Sequence, residues 1–522
     1  MSDRYLLKGT LVLTTANLFN RLIGLINQVL ALRIMGTEGY GLYQLAIPIY
    51  LLALVLTTTG IPVAVVKMVA EERASGNLPA AYQLVRWSAV RLATTGLLFT
   101  LLIGLLLPFL GSKIMADPRA VWCLLILIPA LPLAAISSIL RGYFQGMHQM
   151  TIPAIAQMIE QMVRVFTGLY LATQLAPRGL TWAVMGYAAG VLIGEATGFL
   201  LLLGCYVKGL KTPLRATQGK TFYPVTGPDS LTNLTGRIWD IAGPVTFTRI
   251  STVLLLNFEA ILIPHRLQAL GHSLPEATAL YGLFTGVALT LISIPNVLTS
   301  AISTNLLPVV SAAWARKDLI WLKHSLPRSL RYTVLAGLPL LVILWVRPDD
   351  ITRFIFNLSG AVKPIRILTI GGVFLYIIQT TNGILYGLGQ ARRVLGNSLI
   401  LAGVRLGAIY TLTISGNDSL SSVALAYLLS YVSGAALNLF PLIRQFLAIN
   451  LQRDLIVPLL AALAMGLTIS QTWPIIYGFN QHPLMLLMLS FIVGMLCYLI
   501  ILYKGKALQE IHHIWLITIS KN

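Results

Sequence analysis

Apolar residues run in long stretches along this chain, and polar positions between them are sparse. A helix needs about 20 mostly apolar residues to cross a bilayer core. Fourteen segments meet that demand: 8–34, 42–66, 86–110, 120–140, 153–175, 181–205, 238–263, 279–306, 331–346, 365–386, 397–415, 420–440, 455–477 and 484–503. Trp87, Trp122, Trp182 and Trp239 open spans, and Trp345 and Trp473 close them, where amphipathic rings sit at the membrane–water boundary. The pattern predicts an all-α polytopic membrane protein with about 14 transmembrane helices.

Composition agrees. Of 522 residues, 57% are hydrophobic and 10% charged. A soluble domain carries about 25% charged residues, so this chain has too few to build a soluble surface. The net charge of +20 would suggest nucleic acid on a soluble protein, but basic residues collect in cytoplasmic loops of membrane proteins. No nucleic-acid partner is expected. An even span count puts both termini on one side. With both termini cytoplasmic, most lysines and arginines outside the spans are cytoplasmic too. The long basic loops 206–237 and 311–330 read as tethers between bundles that touch anionic membrane lipid. No cleavable signal peptide is evident.

The chain repeats itself. Gly146 and Gln149 match Gly387 and Gln390 at a separation of 241, and the same shift takes Arg164 onto Arg405. Leu42-Tyr43 and Leu280-Tyr281 open the second and eighth spans alike. A period of six spans predicts two six-helix bundles related by a pseudo-two-fold repeat, 1–236 and 237–454. Residues 455–522 add two further helices and a cytoplasmic tail.

Four arginines, Arg21, Arg164, Arg249 and Arg405, lie near the middle of predicted spans. A cation at bilayer depth costs roughly 2.5–3.5 kcal/mol on insertion scales and is tolerated facing a bundle interior or wet cavity. The first span adds Asn17, Asn20, Asn27 and Gln28, at spacings that favour one broad helical face. They line a cavity or serve as hydrogen-bond glue between helices. Glu160 and Arg164, at i and i+4, are placed for a local ion pair. Glu195 is a deep acid, either a protonation site or an interhelical partner. Glu259 stands about 15 Å along its helix from Arg249, too far to pair with it; each is placed to meet a partner on another helix, and the alternative for Glu259 is a proton or cation coupling site. Arg33, Arg91 and Arg366 lie near span ends, where they can snorkel. Pro48, Pro62, Pro244 and Pro295 interrupt spans, marking mobile helices or static kinks.

Some chemistry is missing. The seven His and three Cys show no ligand cluster, so neither a metal nor a cofactor is expected. Gly219-Lys220-Thr221 mimics the end of a phosphate-binding loop, but Leu214 replaces its first glycine. Asp349-Asp350 in an outer loop would suit a metal-dependent glycosyltransferase, although an exposed acidic pair at a span end is the commoner case. No loop is long enough for a soluble catalytic domain, so a transporter is expected, not an enzyme.

Several motifs resemble the stage V sporulation protein B group. They are Asn20-Arg21-Leu22-Ile23-Gly24, Gly36-Thr37-Glu38-Gly39-Tyr40-Gly41, Gly60-Ile61-Pro62-Val63-Ala64, Arg141-Gly142-Tyr143-Phe144-Gln145-Gly146, Glu160-Gln161-Met162-Val163-Arg164 and Pro244-Val245-Thr246-Phe247-Thr248-Arg249. That group sits with polysaccharide exporters and MurJ lipid II flippases, in a superfamily that also holds multidrug extruders. The resemblance implies two six-helix bundles around a central cavity in a bacterial plasma membrane. It implies alternating access that flips undecaprenyl-diphosphate-linked sugars outward, for peptidoglycan (spore cortex included) or polysaccharide synthesis. Arg21 matches a cavity arginine of the lipid II flippases, whereas Asn27 replaces a second one, and no arginine stands at the matching depth of the second or eighth span. Arg249 takes over part of that role in this reading. A monomer is expected to suffice. A cation-coupled multidrug antiporter is the competing expectation, and would require a coupling cation as partner.

Overall fold

The computed structural model describes residues 2–211, 228–413, 418–446, 452–479, 483–505 and 507. Each of the 14 predicted segments falls on helix, and no strand occurs among the described residues. In chain order the helices are α1 (Ser2–Thr58), α2 (Ile61–Ala74), α3 (Leu78–Phe109), α4 (Ala120–Leu127), α5 (Ala130–Gly146), α6 (Thr151–Leu175), α7 (Leu180–Lys211), α8 (Pro228–Ala269) and α9 (Leu274–Leu283). There follow α10 (Leu289–Ala315), α11 (Leu319–Val346), α12 (Pro348–Phe356), α13 (Val362–Gly387), α14 (Ala391–Leu412), α15 (Ser419–Gln445), α16 (Val457–Phe479) and α17 (Pro483–Lys504). The phosphate-loop mimic 219–221 and Leu214 lie outside the described residues.

Eleven helices among the described residues are long and apolar enough to cross a membrane, or 12 if the bent pair α4–α5 is one span. The first of these combines two predicted spans. Straight, the 57 residues of α1 would reach about 85 Å, well beyond a hydrocarbon core of about 30 Å. The helix breaks at Gly36, with φ 68° and ψ −177°, a conformation open to glycine and strained for a residue with a Cβ. A second break follows at Thr59 and Gly60, both at positive φ. Pro62 sits in the first turn of α2, where its missing N–H leaves no bond unmade. Pro48 and Pro295 lie inside α1 and α10.

The chain divides into two compact units, Met1–Gly282 and Leu283–Asn522. The repeat expected from sequence divides at 236/237 instead; α8, which that reading assigns to the second half, packs on α1 and α2 within the first unit. Asn257 of α8 donates to the Pro48 carbonyl at 2.8 Å. At one end of this unit Arg119 pairs with Glu38 at 2.8 Å and with the fully buried Asp117 at 2.7 Å. Its hydrogen bonds to Asp117 and Glu38, outweighing partial burial, raise the guanidinium pKa above its ordinary value. Thr278 of α9 closes the cluster by donating to Asp117 at 2.9 Å.

The repeat extends to individual hydrogen bonds. α5 ends at Gly146 and α13 at Gly387. Met147, His148 and Gln149 donate to Tyr143, Gln145 and Phe144; Leu388, Gly389 and Gln390 donate to Ile384, Tyr386 and Leu385, the same three bonds shifted by 241. His148 and Gly389 both have positive φ. The turns before α3 and α11 match likewise, with Gly76 and Lys317 at positive φ. Packing follows suit: a Cβ on Gly146 would meet Val66 and Val69, and one on Gly387 would meet Leu307 and Val310.

In the second unit the two extra helices dock on α11. Tyr498 donates to the Leu335 carbonyl at 3.0 Å, and Arg347 lies 4.3 Å over the Trp473 ring. Asp349 and Asp350 occupy the first turn of α12. Asp349 pairs with Arg353 at 2.9 Å and Asp350 with Arg347 at 3.8 Å. Burial holds the Asp350 carboxyl above the usual range. These are helix-end ion pairs, which accounts for the acidic doublet without catalysis.

Candidate functional site

Four glycines, Gly186, Gly190, Gly194 and Gly198, recur at every fourth position of α7. That spacing forms a smooth stripe, which lets membrane helices approach closely. Here it receives α6. A Cβ on Gly194 would lie 2.8 Å from the Arg164 Cβ, and one on Gly198 would lie 2.5 Å from Glu160 Oε2. Close approach brings Glu195 of α7 to Arg164 of α6.

The result is a chain of four charges on three helices. Arg164 Nη2 donates to Glu160 Oε1 at 2.7 Å within α6 and to Glu195 Oε1 at 2.8 Å on α7. Arg141 Nη2, from α5, donates to the other oxygen of Glu160. Two cations and two anions cancel, as charges inside a membrane must if insertion is to be tolerated. The pairing is incomplete at its edge: Arg141 Nε, Arg164 Nε and Glu195 Oε2 are buried without a hydrogen-bond partner.

This cluster borders a cavity of about 330 Å³ within the first unit. Its wall comes from the end of α1 and start of α2 (Leu54, Val55, Thr58, Pro62, Val63, Val66), from α5 (Ala134, Ser138, Arg141, Gly142, Gln145), from Glu195 and from Arg249 of α8. The volume lies at the lower end of the small-molecule range. Gly142 fixes the α5 wall, because a Cβ there would stand 3.0 Å from the Pro62 carbonyl oxygen. Arg249 is exposed and has no carboxylate partner among the described residues. The chemistry on offer is anion binding: two guanidiniums, amide and hydroxyl groups, and one carboxylate.

The other predicted residues are distributed differently. Arg21 and Asn17 are exposed on α1, and neither lines this cavity. Both polar side-chain atoms of Asn20 are buried without a partner, and Gln28 is partly buried. Asn27 is buried and donates to the Tyr187 hydroxyl at 2.8 Å, so its amide joins α1 to α7. Glu259 is 4% exposed, deep in α8. Arg405, the counterpart of Arg164, donates to Ser430 Oγ at 3.1 Å and lies over the rings of Tyr427 and Tyr431 at 4.3 and 5.3 Å. Those tyrosines stand where the first half has Gly186 and Gly190.

Arg141 is the cavity-lining member of the charge cluster that reading the spans passed over. It falls just past the predicted end of the fourth span, where an arginine passes for a loop cation. The glycine stripe was the available signal, since it predicts which face of α7 meets α6. Among the described residues no group of three or more His, Cys, Asp or Glu could hold a metal.

Residues 6–314 match the protein family described as Polysaccharide biosynthesis protein. Stage V sporulation protein B of Bacillus subtilis (strain 168) is 32% identical over 428 residues, 82% of this chain and 81% of that protein. Lipid II flippase MurJ of the same organism is 26% identical over 352 residues, 65% of this chain and 63% of that protein. Among solved structures, a lipid II flippase MurJ in an inward closed conformation has a TM-score of 0.69 at 16% identity, covering 96% of this chain and 99% of that one. An inward-facing multidrug resistance MATE family transporter of the MOP superfamily has a TM-score of 0.64 at 14% identity, covering 81% of this chain and 94% of that one. At those identities the likeness is one of fold.

Proposed function

The chain belongs to the polysaccharide biosynthesis protein family, and from that premise we propose that it flips an undecaprenyl-diphosphate-linked cell-envelope precursor, lipid II or a related lipid-linked oligosaccharide. The proposed setting is a bacterial plasma membrane with both termini cytoplasmic. The product would serve peptidoglycan, spore cortex included, or another envelope polysaccharide. The names and identities of the relatives support this reading.

One observation carries it: Arg249 lines a cavity within the membrane region and has no carboxylate partner among the described residues. A cation placed so suits an anion that arrives from outside the protein. The diphosphate of a lipid-linked sugar supplies that anion through charge-assisted hydrogen bonds. Arg21, exposed on α1, is a second proposed contact, at the entry side. Asn17 and Gln28 present amides to phosphate or sugar; Asn20, whose amide atoms are buried, and Asn27, bonded to Tyr187, act through the shape of the bundle. The lipid tail stays in the bilayer while the headgroup crosses.

In the proposed orientation the cavity lies toward the cytoplasm, since it gathers around the ends of the second and fourth spans. The Glu38–Arg119–Asp117–Thr278 cluster lies at the outward ends. A protein waiting for substrate from inside would have this arrangement.

The second reading is a cation-coupled multidrug antiporter, which the shared fold of the MATE transporters favours. A cationic drug would meet Arg249 in the cavity, and the two nearby glutamates are already bonded to arginines. The two readings separate in proteoliposomes. Translocation of a fluorescent lipid-linked diphosphate sugar, lost in Arg249→Ala and reduced in Arg21→Ala, supports the flippase. Normal translocation by both variants sinks their proposed roles, and cation-driven export of an organic cation would install the antiporter instead.

A further inference from the structure

The repeat supplies an internal control for the charge cluster. Under the shift of 241, Arg164 corresponds to Arg405, but Arg141, Glu160 and Glu195 correspond to Asn382, Leu401 and Ala436. The second half thus sets the corresponding helices side by side without those three charges, with Tyr427 and Tyr431 in place of Gly186 and Gly190. Asn382 there joins an amide network, accepting from Asn438 at 2.9 Å. Asn438 also accepts from Asn397 at 2.8 Å. There rings and amides join the helices where the first half uses Arg, Glu and Glu.

The two arginines of the cluster are not equally held. Arg164 is bonded to two carboxylates, one of them a turn away on its own helix. Arg141 has Glu160 as its ion-pair partner, its Nε is unpartnered, and its side chain, 26% exposed, lines the cavity. Arg249 lines the same cavity. If Arg141 lets go, Glu160 keeps Arg164. If Arg164 let go, Glu195 would lose its bonded arginine. Arg141 is therefore the member that can leave without stranding a charge.

We propose that Arg141 is a second ligand of the anionic headgroup, in the cavity that Arg249 also lines, and that Glu160 occupies it in the empty protein, so that a phosphate of the lipid and Glu160 compete for one guanidinium. This rests on the anion-binding reading above and deepens it. The exchange swaps one charge-assisted hydrogen bond for another, and a phosphate gains Arg141 at a fraction of the desolvation that an isolated guanidinium would require. It also links occupancy to structure, because release of Arg141 uncouples α5 from α6.

The signs of the effects distinguish competition from scaffolding. Affinity for undecaprenyl diphosphate is measured on the full-length protein in detergent, with thermal unfolding as a check on the fold. Arg141→Gln is expected to weaken binding about tenfold or more, the worth of a hydrogen bond to a charged group. Glu160→Gln is expected to tighten it roughly five- to tenfold, because the internal competitor is gone. Glu160→Asp, which keeps the charge for Arg164 but shortens its reach to Arg141, should tighten it less and provides a variant closer to the parent fold. The double variant Arg141→Gln/Glu160→Gln should bind as Arg141→Gln alone, since the two act on one contact. Weakened binding by both folded Glu160 variants would make the pair structural and overturn the proposal. So would unchanged binding by Arg141→Gln while Arg249→Gln weakens it, and in that case the anion-binding reading survives. If the unaltered protein does not bind the lipid diphosphate, both fall. Inorganic pyrophosphate serves as a second probe: the same order of effects with pyrophosphate, absent with the lipid, would assign the site to free phosphate and overturn the lipid assignment.

Discussion

Replacing Gly190 with alanine puts a methyl carbon where two helix backbones already touch. The new Cβ would stand 2.5 Å from the Gly168 backbone nitrogen and 2.7 Å from the Arg164 carbonyl oxygen. Ordinary heavy-atom contacts lie near 3.5–4.0 Å, so α6 and α7 must separate locally by about 1 Å. Neither obstacle is a side chain that could rotate away. Overpacking typically costs 1–3 kcal/mol, and rigid backbone on both sides puts this case near the top, about 3 kcal/mol. Exchanging glycine for alanine in a helix returns up to about 1 kcal/mol. The net expectation is a loss of about 2 kcal/mol, roughly a 30-fold fall in the folding equilibrium constant. The same separation would stretch the 2.8 Å bond from Arg164 to Glu195 beyond hydrogen-bond length, so transport should fall as well. Gly204→Ala, on the same helix with nothing within 4 Å of its Cβ, should be neutral or slightly stabilising. Reversible unfolding of both variants in bicelles measures the difference. Equal stability of Gly190→Ala and Gly204→Ala would refute close α6–α7 packing as the device that assembles the charge cluster.

The remaining predictions concern other links in the structure. Tyr187→Phe deprives Asn27 Nδ2 of its acceptor and should cost about 1–3 kcal/mol in the same unfolding assay, the penalty of an unsatisfied buried donor. Arg405→Lys gives up the planar stacking on Tyr427 and Tyr431 and should destabilise by about 1–2 kcal/mol, with transport changed no more than stability. Asp418 caps α15 through Ser421 at 3.4 Å and pairs with Lys363 at 3.1 Å. Partial burial works to raise its carboxyl pKa, but these partners outweigh it and hold the group below its ordinary value. A depressed folded-state pKa means stability that is present above the unfolded value and lost as pH falls through the folded one. The deficit of Asp418→Asn, no more than about 0.5 kcal/mol on so exposed a pair, should therefore be steady at neutral pH and vanish in strong acid. A deficit that persists there would show the effect is not the carboxylate's charge.

Sequence made some of this legible and not the rest, for identifiable reasons. Spans are visible because a bilayer imposes a length and a composition on each helix. The merger of the first two predicted spans was not visible, since a helix reset at Gly36 needs only one glycine with positive φ. The Glu160–Arg164 pair is a fixed property of helical spacing. The partnership of Arg164 with Glu195, 31 residues away, depends on which faces α6 and α7 turn to each other, and only the glycines at fours record that. Asn27 and Gln28 look alike in a polar-studded span, yet Asn27 is spent on Tyr187. The repeat was legible from a few identities, while its value as a control emerged only when Arg405 proved to be held by rings and a hydroxyl.

The charge cluster also bears on how this protein enters its membrane. Handed to the lipid one at a time, α5 carries Arg141 and α7 carries Glu195, each with no counter-charge within a helical turn. α6 brings its own counterion, with Glu160 one turn from Arg164. An uncompensated charge mid-span raises the insertion free energy by roughly 2.5–3.5 kcal/mol, a cost that falls on Glu195 in α7 and less on Arg141, which stands at the end of its span, and docking against α6 relieves both. Biogenesis of the first half therefore has a template: α6 can settle alone, and its neighbours become fully lipid-compatible by docking on it.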